Sequence, residues 1–81
     1  MMKKMKKVII YTTPSCMWCQ KAKEYFKAQG VSFEEVDVSR NREKAQEMIR
    51  KSGQMGVPVI DIEGDVVIGF DQPSIDRILG L

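Results

Sequence analysis

Residues 12–26 read TTPSCMWCQKAKEYF, and the reading turns on two features of this stretch: a breaker, Pro14-Ser15, and directly behind it a cysteine pair, Cys16 and Cys19, in a chain with no other cysteine and no histidine. Upstream, Lys7-Val8-Ile9-Ile10-Tyr11-Thr12 is a β-branched and aromatic run long enough for a buried strand. Downstream, Trp18, Ala22, Tyr25, Phe26 and Gln29 fall on one side of a helix, Lys21, Lys23, Glu24 and Lys27 mostly on the others, and Gly30 supplies a stop. Cys16 therefore falls where a strand ends and a helix begins. As N-cap it has the backbone N–H groups of Trp18 and Cys19 free to point at its sulfur, and these stabilise a thiolate far more than a thiol. With the positive end of the helix dipole added, the thiol is expected to drop from about 8.5 into the range of roughly 3.5 to 7.5 that activated cysteines show. Cys19, at i+3, is its neighbour on the same face, with Cβ atoms about 5–6 Å apart, near enough for a disulfide after slight adjustment.

This placement divides the labour. Cys16, exposed at the helix start, is expected to attack a substrate disulfide and form a mixed disulfide. Cys19, shielded within the first turn, then attacks Cys16 and releases the reduced substrate. Met17 and Trp18 set the shape of the turn and its apolar surroundings; Trp18 offers either a flat contact surface or a ring packed on its own helix. A structural staple is the weaker use of the pair, because so short a loop gives only ~2 kcal/mol against ~3 kcal/mol for a 15-residue loop. Structural zinc wants four ligands, so two thiolates with no imidazole need a second copy or carboxylates. The rival class is accordingly a metal or iron–sulfur carrier sharing its thiolates across a dimer. Copper carriers use M-x-C-x-x-C, and Pro14 stands where their methionine would.

The remaining chain continues the alternation. Phe33 to Val38 reads as a second strand; Ser39 or Asn41 can cap a helix whose Ala45, Met48 and Ile49 keep helical spacing until Gly53. Val59 to Ile62 and Val66 to Ile68 are short strands about a Glu63-Gly64-Asp65 turn, and Pro73 opens a last helix carrying Ile75, Ile78 and Leu79 inward. The order βαβαββα predicts an α/β domain with a four-stranded mixed sheet and helices on both faces: the first two strands parallel, the closing hairpin antiparallel. Pro58 suits the first residue of a strand, and X-Pro is the linkage at which a cis bond costs least.

Size and charge set the outer bounds. With 81 residues the chain is expected to form one domain, 1–81, near the lower limit for a single apolar core and without room for a cofactor domain. Hydrophobic residues make up 43% and charged ones 30%, with a net charge of +2, the composition of an ordinary globule and not of a membrane or disordered chain. Lys3, Lys4, Lys6 and Lys7 crowd the start; the plain reading is a solvated tail, the sharper one an acidic partner surface. The apolar run behind them is too short for a signal peptide, so a reducing cytoplasm is the expected location, where a C-x-x-C is more often catalytic or metal-binding than structural.

Taken together, YTTPSCMWC, SGQMGVPVIDI and IGFDQPSI, in that order, resemble the glutaredoxin branch of the thioredoxin fold, from about Lys7 to Leu81. The resemblance implies a strand order two-one-three-four, a cis Pro58 beside Cys16, and a Val57 backbone that pairs with a bound peptide or glutathione as an added strand. It also implies a monomeric carrier of electrons to protein disulfides with no bound cofactor, glutathione serving at most as co-substrate, and no nucleic acid or membrane partner. The departures concern glutathione. Met17 and Trp18 stand where the family has proline and tyrosine; Thr13 takes the place of a lysine that holds glutathione's glycine carboxylate, leaving Gln54 as a donor and Lys21 on the next helix. The family's Gly-Gly and Asp-Asp become Gly69-Phe70-Asp71-Gln72, so that Phe70 narrows the groove and Asp71 is also readable as a helix cap. The glycine-phenylalanine pair resembles the glutaredoxin-like electron donors of ribonucleotide reductase, which implies recharging by thioredoxin reductase or another flavin reductase.

Overall fold

β1 (Val8–Thr12) occupies the middle of the sheet, with every residue but Ile9 buried, as the apolar run requires. The computed structural model that contains it describes residues 6–81, so Lys3 and Lys4 of the basic start lie outside the described residues. After β1 come α1 (Met17–Ala28), β2 (Glu34–Asp37), α2 (Arg42–Ser52), β3 (Val59–Ile62), β4 (Asp65–Ile68) and α3 (Gln72–Leu79). The sheet order is β2-β1-β3-β4, with β1 and β2 parallel and the pairs β1–β3 and β3–β4 antiparallel. β2 thus lies at one edge, where the family resemblance puts it.

The side-chain period of two sends successive residues of β1 to opposite faces. Val8 and Ile10, with Ile60, Ile62 and Val67, pack under Ala22 and Phe26 of α1 and Ile75 of α3. Tyr11 and Val59 face the other way, against Met48 of α2. β3 is buried along its whole length because both faces are covered.

Four local expectations change. The strands differ by a residue or two: β1 begins at Val8, β2 is shorter than Phe33 to Val38, and β4 starts one residue earlier, at Asp65. The hairpin turn is therefore the two residues Glu63-Gly64, both at positive φ (51° and 96°), the conformation that suits the twist of a two-residue connection. Asn41, not Ser39, caps α2: its Oδ1 accepts the Lys44 N–H at 3.1 Å, while Ser39 donates to Asp37. Third, the buried stripe of α1 is Cys19, Ala22 and Phe26, so Trp18 and Gln29 stand outside it and the Lys23 side chain, 16% exposed, leans inward. Ile49 lies at the exposed side of α2, since one buried residue, Met48, fills the space over Tyr11 and Val59.

Candidate active site

The site is built at one end of the sheet. Tyr11 pairs with Val59 and Val59 with Ile68, so the next step of the ladder brings Thr12, Pro58 and Gly69 into one row; the Gly69 N–H donates to the Pro58 carbonyl at 2.8 Å. The Val57-Pro58 bond is cis, Pro58 is buried and Val57 half-buried. Among the described residues Val57 forms no backbone hydrogen bond.

From Thr12 the chain turns directly into α1. The Cys16 N–H donates to the Thr13 carbonyl at 3.2 Å, closing a four-residue turn with Pro14 at the position where its fixed φ suits the bend. Cys16 is then the N-cap of α1, in an extended conformation, and its Sγ accepts the Cys19 N–H at 3.1 Å. Of the two amides expected at this sulfur, Cys19 makes the bond; it is the third residue of the helix, the usual donor to an N-cap side chain. The two cysteines are joined as a disulfide with Cα atoms 5.2 Å apart. Cys16 is partly exposed, while Cys19 is fully buried.

The flanking residues come together unevenly. Met17 (69% exposed) and Trp18 (57% exposed) stand out beside Cys16. The Trp18 ring lies 6.4 Å from Phe70, and Phe70 meets Tyr25 edge-on at 5.6 Å, so the aromatic after Gly69 is wedged between two rings of α1. The Tyr25 hydroxyl donates to Asp76 of α3; that bond raises its pKa above the ordinary tyrosine value. Lys21 Nζ lies 6.0 Å from the centre of the Trp18 ring.

The polar candidates are mostly engaged locally. Thr13 serves the turn. Gln54 folds back on its own loop: its Oε1 accepts the Gly56 N–H at 2.7 Å and its Nε2 donates to the Gly56 carbonyl at 3.0 Å, leaving one amide N–H. Asp71 caps α3, accepting from the Ser74 amide at 3.4 Å and hydroxyl at 2.9 Å. The cap reading of Asp71 is therefore the one its geometry satisfies.

Sequence reasoning passed over three residues. Met55, 77% exposed, sits in the loop leading to Val57-Pro58, and a large apolar residue between glycines was its signal. Lys23 donates to Glu35 of β2 at 2.8 Å, and the same carboxylate oxygen accepts the Thr12 hydroxyl at 2.9 Å. The Lys23 bond, helped by Thr12, holds the Glu35 carboxyl below its ordinary range. The signal for Lys23 was its place one turn beyond Cys19. Among the described residues, no three His, Cys, Asp or Glu side chains gather closely enough to hold a metal ion.

The family model described as Glutaredoxin matches residues 8–67. An uncharacterized glutaredoxin-like 8.6 kDa protein in the rubredoxin operon of Clostridium pasteurianum is 43% identical over 70 residues, covering 86% of this chain and 93% of that protein. Glutaredoxin 3 of Escherichia coli is 40% identical over 67 residues, 83% of this chain and 81% of its own length. Among solved structures, the glutaredoxin-like NrdH-redoxin from Escherichia coli, described as having a thioredoxin-like activity profile, superimposes with a TM-score of 0.80 at 29% identity, covering 89% of this chain and 93% of that one.

Proposed function

The chain belongs to the glutaredoxin family and is a thiol–disulfide oxidoreductase; from that premise we propose that it carries electrons to protein disulfides, with Cys16 attacking and Cys19 resolving, and is recharged by a flavin reductase rather than strictly by glutathione. The observation that carries this reading is the asymmetry of the pair: Cys16 partly exposed at the helix N-cap, Cys19 wholly buried one turn in.

The Cys16 thiolate attacks one sulfur of the substrate disulfide. That bond breaks, and the other sulfur leaves as a thiolate and takes up a proton. Cys19 then loses its proton and attacks Cys16 Sγ; the mixed disulfide breaks, the second substrate sulfur is protonated, and the oxidised pair remains. Two electrons and two protons have passed to the substrate, and a reductase or a low-molecular-weight thiol returns them. The Val57 backbone pairs with the extended segment of the substrate beside Pro58, and Gly69 leaves space for it. Met17, Trp18 and Phe70 supply the apolar wall that contacts a protein partner.

Glutathione is the weaker co-substrate. Thr13 brings no charge, Gln54 is turned onto Gly56, Asp71 is occupied with Ser74, and Phe70 fills space beside the motif. The thioredoxin-like profile of NrdH-redoxin, a structural neighbour, fits the same direction. A monomer suffices, since one chain carries both sulfurs, and a reducing cytoplasm is the compartment that keeps such a pair in turnover.

Two experiments test this. Given NADPH with thioredoxin reductase, or NADPH with glutathione and its reductase, the oxidised protein should be reduced faster by the first pair; turnover with the glutathione pair alone contradicts the reading. Cys16→Ser should abolish disulfide reduction and Cys19→Ser should accumulate a mixed disulfide with substrate. Accumulation in the Cys16 variant would reverse the two roles.

A further inference from the structure

The second half of the relay poses a chemical problem. To release the substrate Cys19 must become a thiolate, yet its side chain has no exposure to water, and burial disfavours the charged form. The amide that stabilises Cys16 is Cys19's own N–H, directed at Cys16 Sγ. The chain has no histidine to act as a base.

A cation is nevertheless placed nearby. Lys23 lies at i+4 from Cys19, so the two side chains are neighbours along α1, with Lys23 beside the buried stripe and its side chain 16% exposed. Its Nζ is 2.8 Å from Glu35 Oε2 of β2, and that oxygen also accepts the hydroxyl of Thr12, itself 1% exposed at the end of β1. A solvated surface ion pair would hold neither group in place and contributes about 0–1 kcal/mol. This pair is part-exposed, the Lys23 side chain at 16% and that of Glu35 at 41%, but it has a buried third member in Thr12, whose hydroxyl holds the carboxylate and through it the ammonium. Of the other charged groups on β2, Glu34 is exposed and Asp37 is taken up by Ser39 at 2.9 Å and Arg40 at 3.7 Å, while on α1 itself Lys21 lies over the Trp18 ring at 6.0 Å.

We infer that Lys23, anchored by Glu35 and Thr12, is the positioning residue that stabilises the Cys19 thiolate and so speeds release of the reduced substrate. The inference rests on the dithiol relay above. When the Cys19 thiol gives up its proton, the fixed ammonium favours the anion; the anion attacks Cys16 Sγ, the mixed disulfide breaks, and the departing substrate thiolate takes up a proton.

The test is a single-turnover reaction of the reduced protein with an aromatic disulfide whose halves absorb on release. The first burst reports attack by Cys16 and the second reports attack by Cys19. Lys23→Met should slow the second burst roughly threefold to tenfold and move its pH dependence upward, the loss in thiolate being partly offset by greater nucleophilicity. The first burst should keep its rate, which also shows that the variant is folded, and Lys23→Arg should restore the second. A second burst at the original rate in Lys23→Met, or one as slow in Lys23→Arg as in Lys23→Met, overturns the inference. Failure of the relay itself is distinct: the second burst would then survive Cys19→Ser.

Discussion

Phe70 carries the strongest argument about the electron source because its ring is held from two sides, by Tyr25 edge-on at 5.6 Å and by Trp18 at 6.4 Å. In that position it takes space that a second glycine would leave open beside Gly69. Phe70→Gly should raise glutathione-coupled turnover several-fold while the thioredoxin reductase route gains nothing, measured by NADPH consumption with each reductase pair. An unchanged glutathione rate would mean that the ring is not the obstacle. The ring is only half-buried, so its loss costs about 1–2 kcal/mol and leaves the fold intact. At this scale the cysteines, Pro58 and Phe70 are legible in the sequence because each sits in a short motif with its own chemistry. The wedge is not: Tyr25 reads as one more residue of a helical stripe, and its meeting with Phe70 depends on how α1 and α3 lie against the same sheet face. Trp18 reads from the sequence either as a contact surface or as a ring packed on its helix, and it stands 57% exposed with the Phe70 ring 6.4 Å away.

Among the elements, α2 is tied to the sheet by charge more than by apolar contact. Only Met48 is buried on it. Lys51 in its last turn donates to Asp61 of β3 at 2.6 Å and to the Tyr11 hydroxyl at 2.7 Å, and Tyr11 in turn donates to Glu47 at 2.6 Å. Asp61 also accepts the Gly64 N–H of the hairpin at 2.7 Å. The Tyr11 bond, with Lys44 and Lys51, holds Glu47 down at about 2. Burial pushes the Asp61 carboxyl up, but its bonds to Lys51 and Gly64 outweigh this and leave it below the ordinary value. Both carboxylates are depressed in the folded protein, so the stability they add is present above the ordinary carboxylate range of about 4 and is lost as pH falls through the folded values. Melting temperature should therefore fall between pH of about 4.5 and 2. Glu47→Gln should lose about 1 kcal/mol at neutral pH, solvent screening included, and show a shallower acid decline; parallel acid curves for the two proteins would contradict the assignment. The existence and type of these elements are legible from period, cap and turn residues. The network is less so, because an aspartate within VIDI announces a need for a partner without saying that α2 supplies it.

For the whole molecule, the sheet order β2-β1-β3-β4 is what brings the end of β1, the start of β3 and the end of β4 side by side at one end of the sheet, with α1 springing from the same place. Alternating helices and strands imply two covered faces, but no local pattern states which strands are neighbours; that part came from three motifs matching a family in order. Once Thr12, Pro58 and Gly69 share a row, the sulfur at the helix start, the backbone of Val57 and the aromatic wall all face one approach. The chemistry still depends on Cys16 ionising easily under the amides of α1. The direct measurement is the rate of Cys16 alkylation against pH in the reduced Cys19→Ser protein. A midpoint below about pH 7.5 is predicted, and a midpoint at or above the value of about 8.5 for a free cysteine would contradict it.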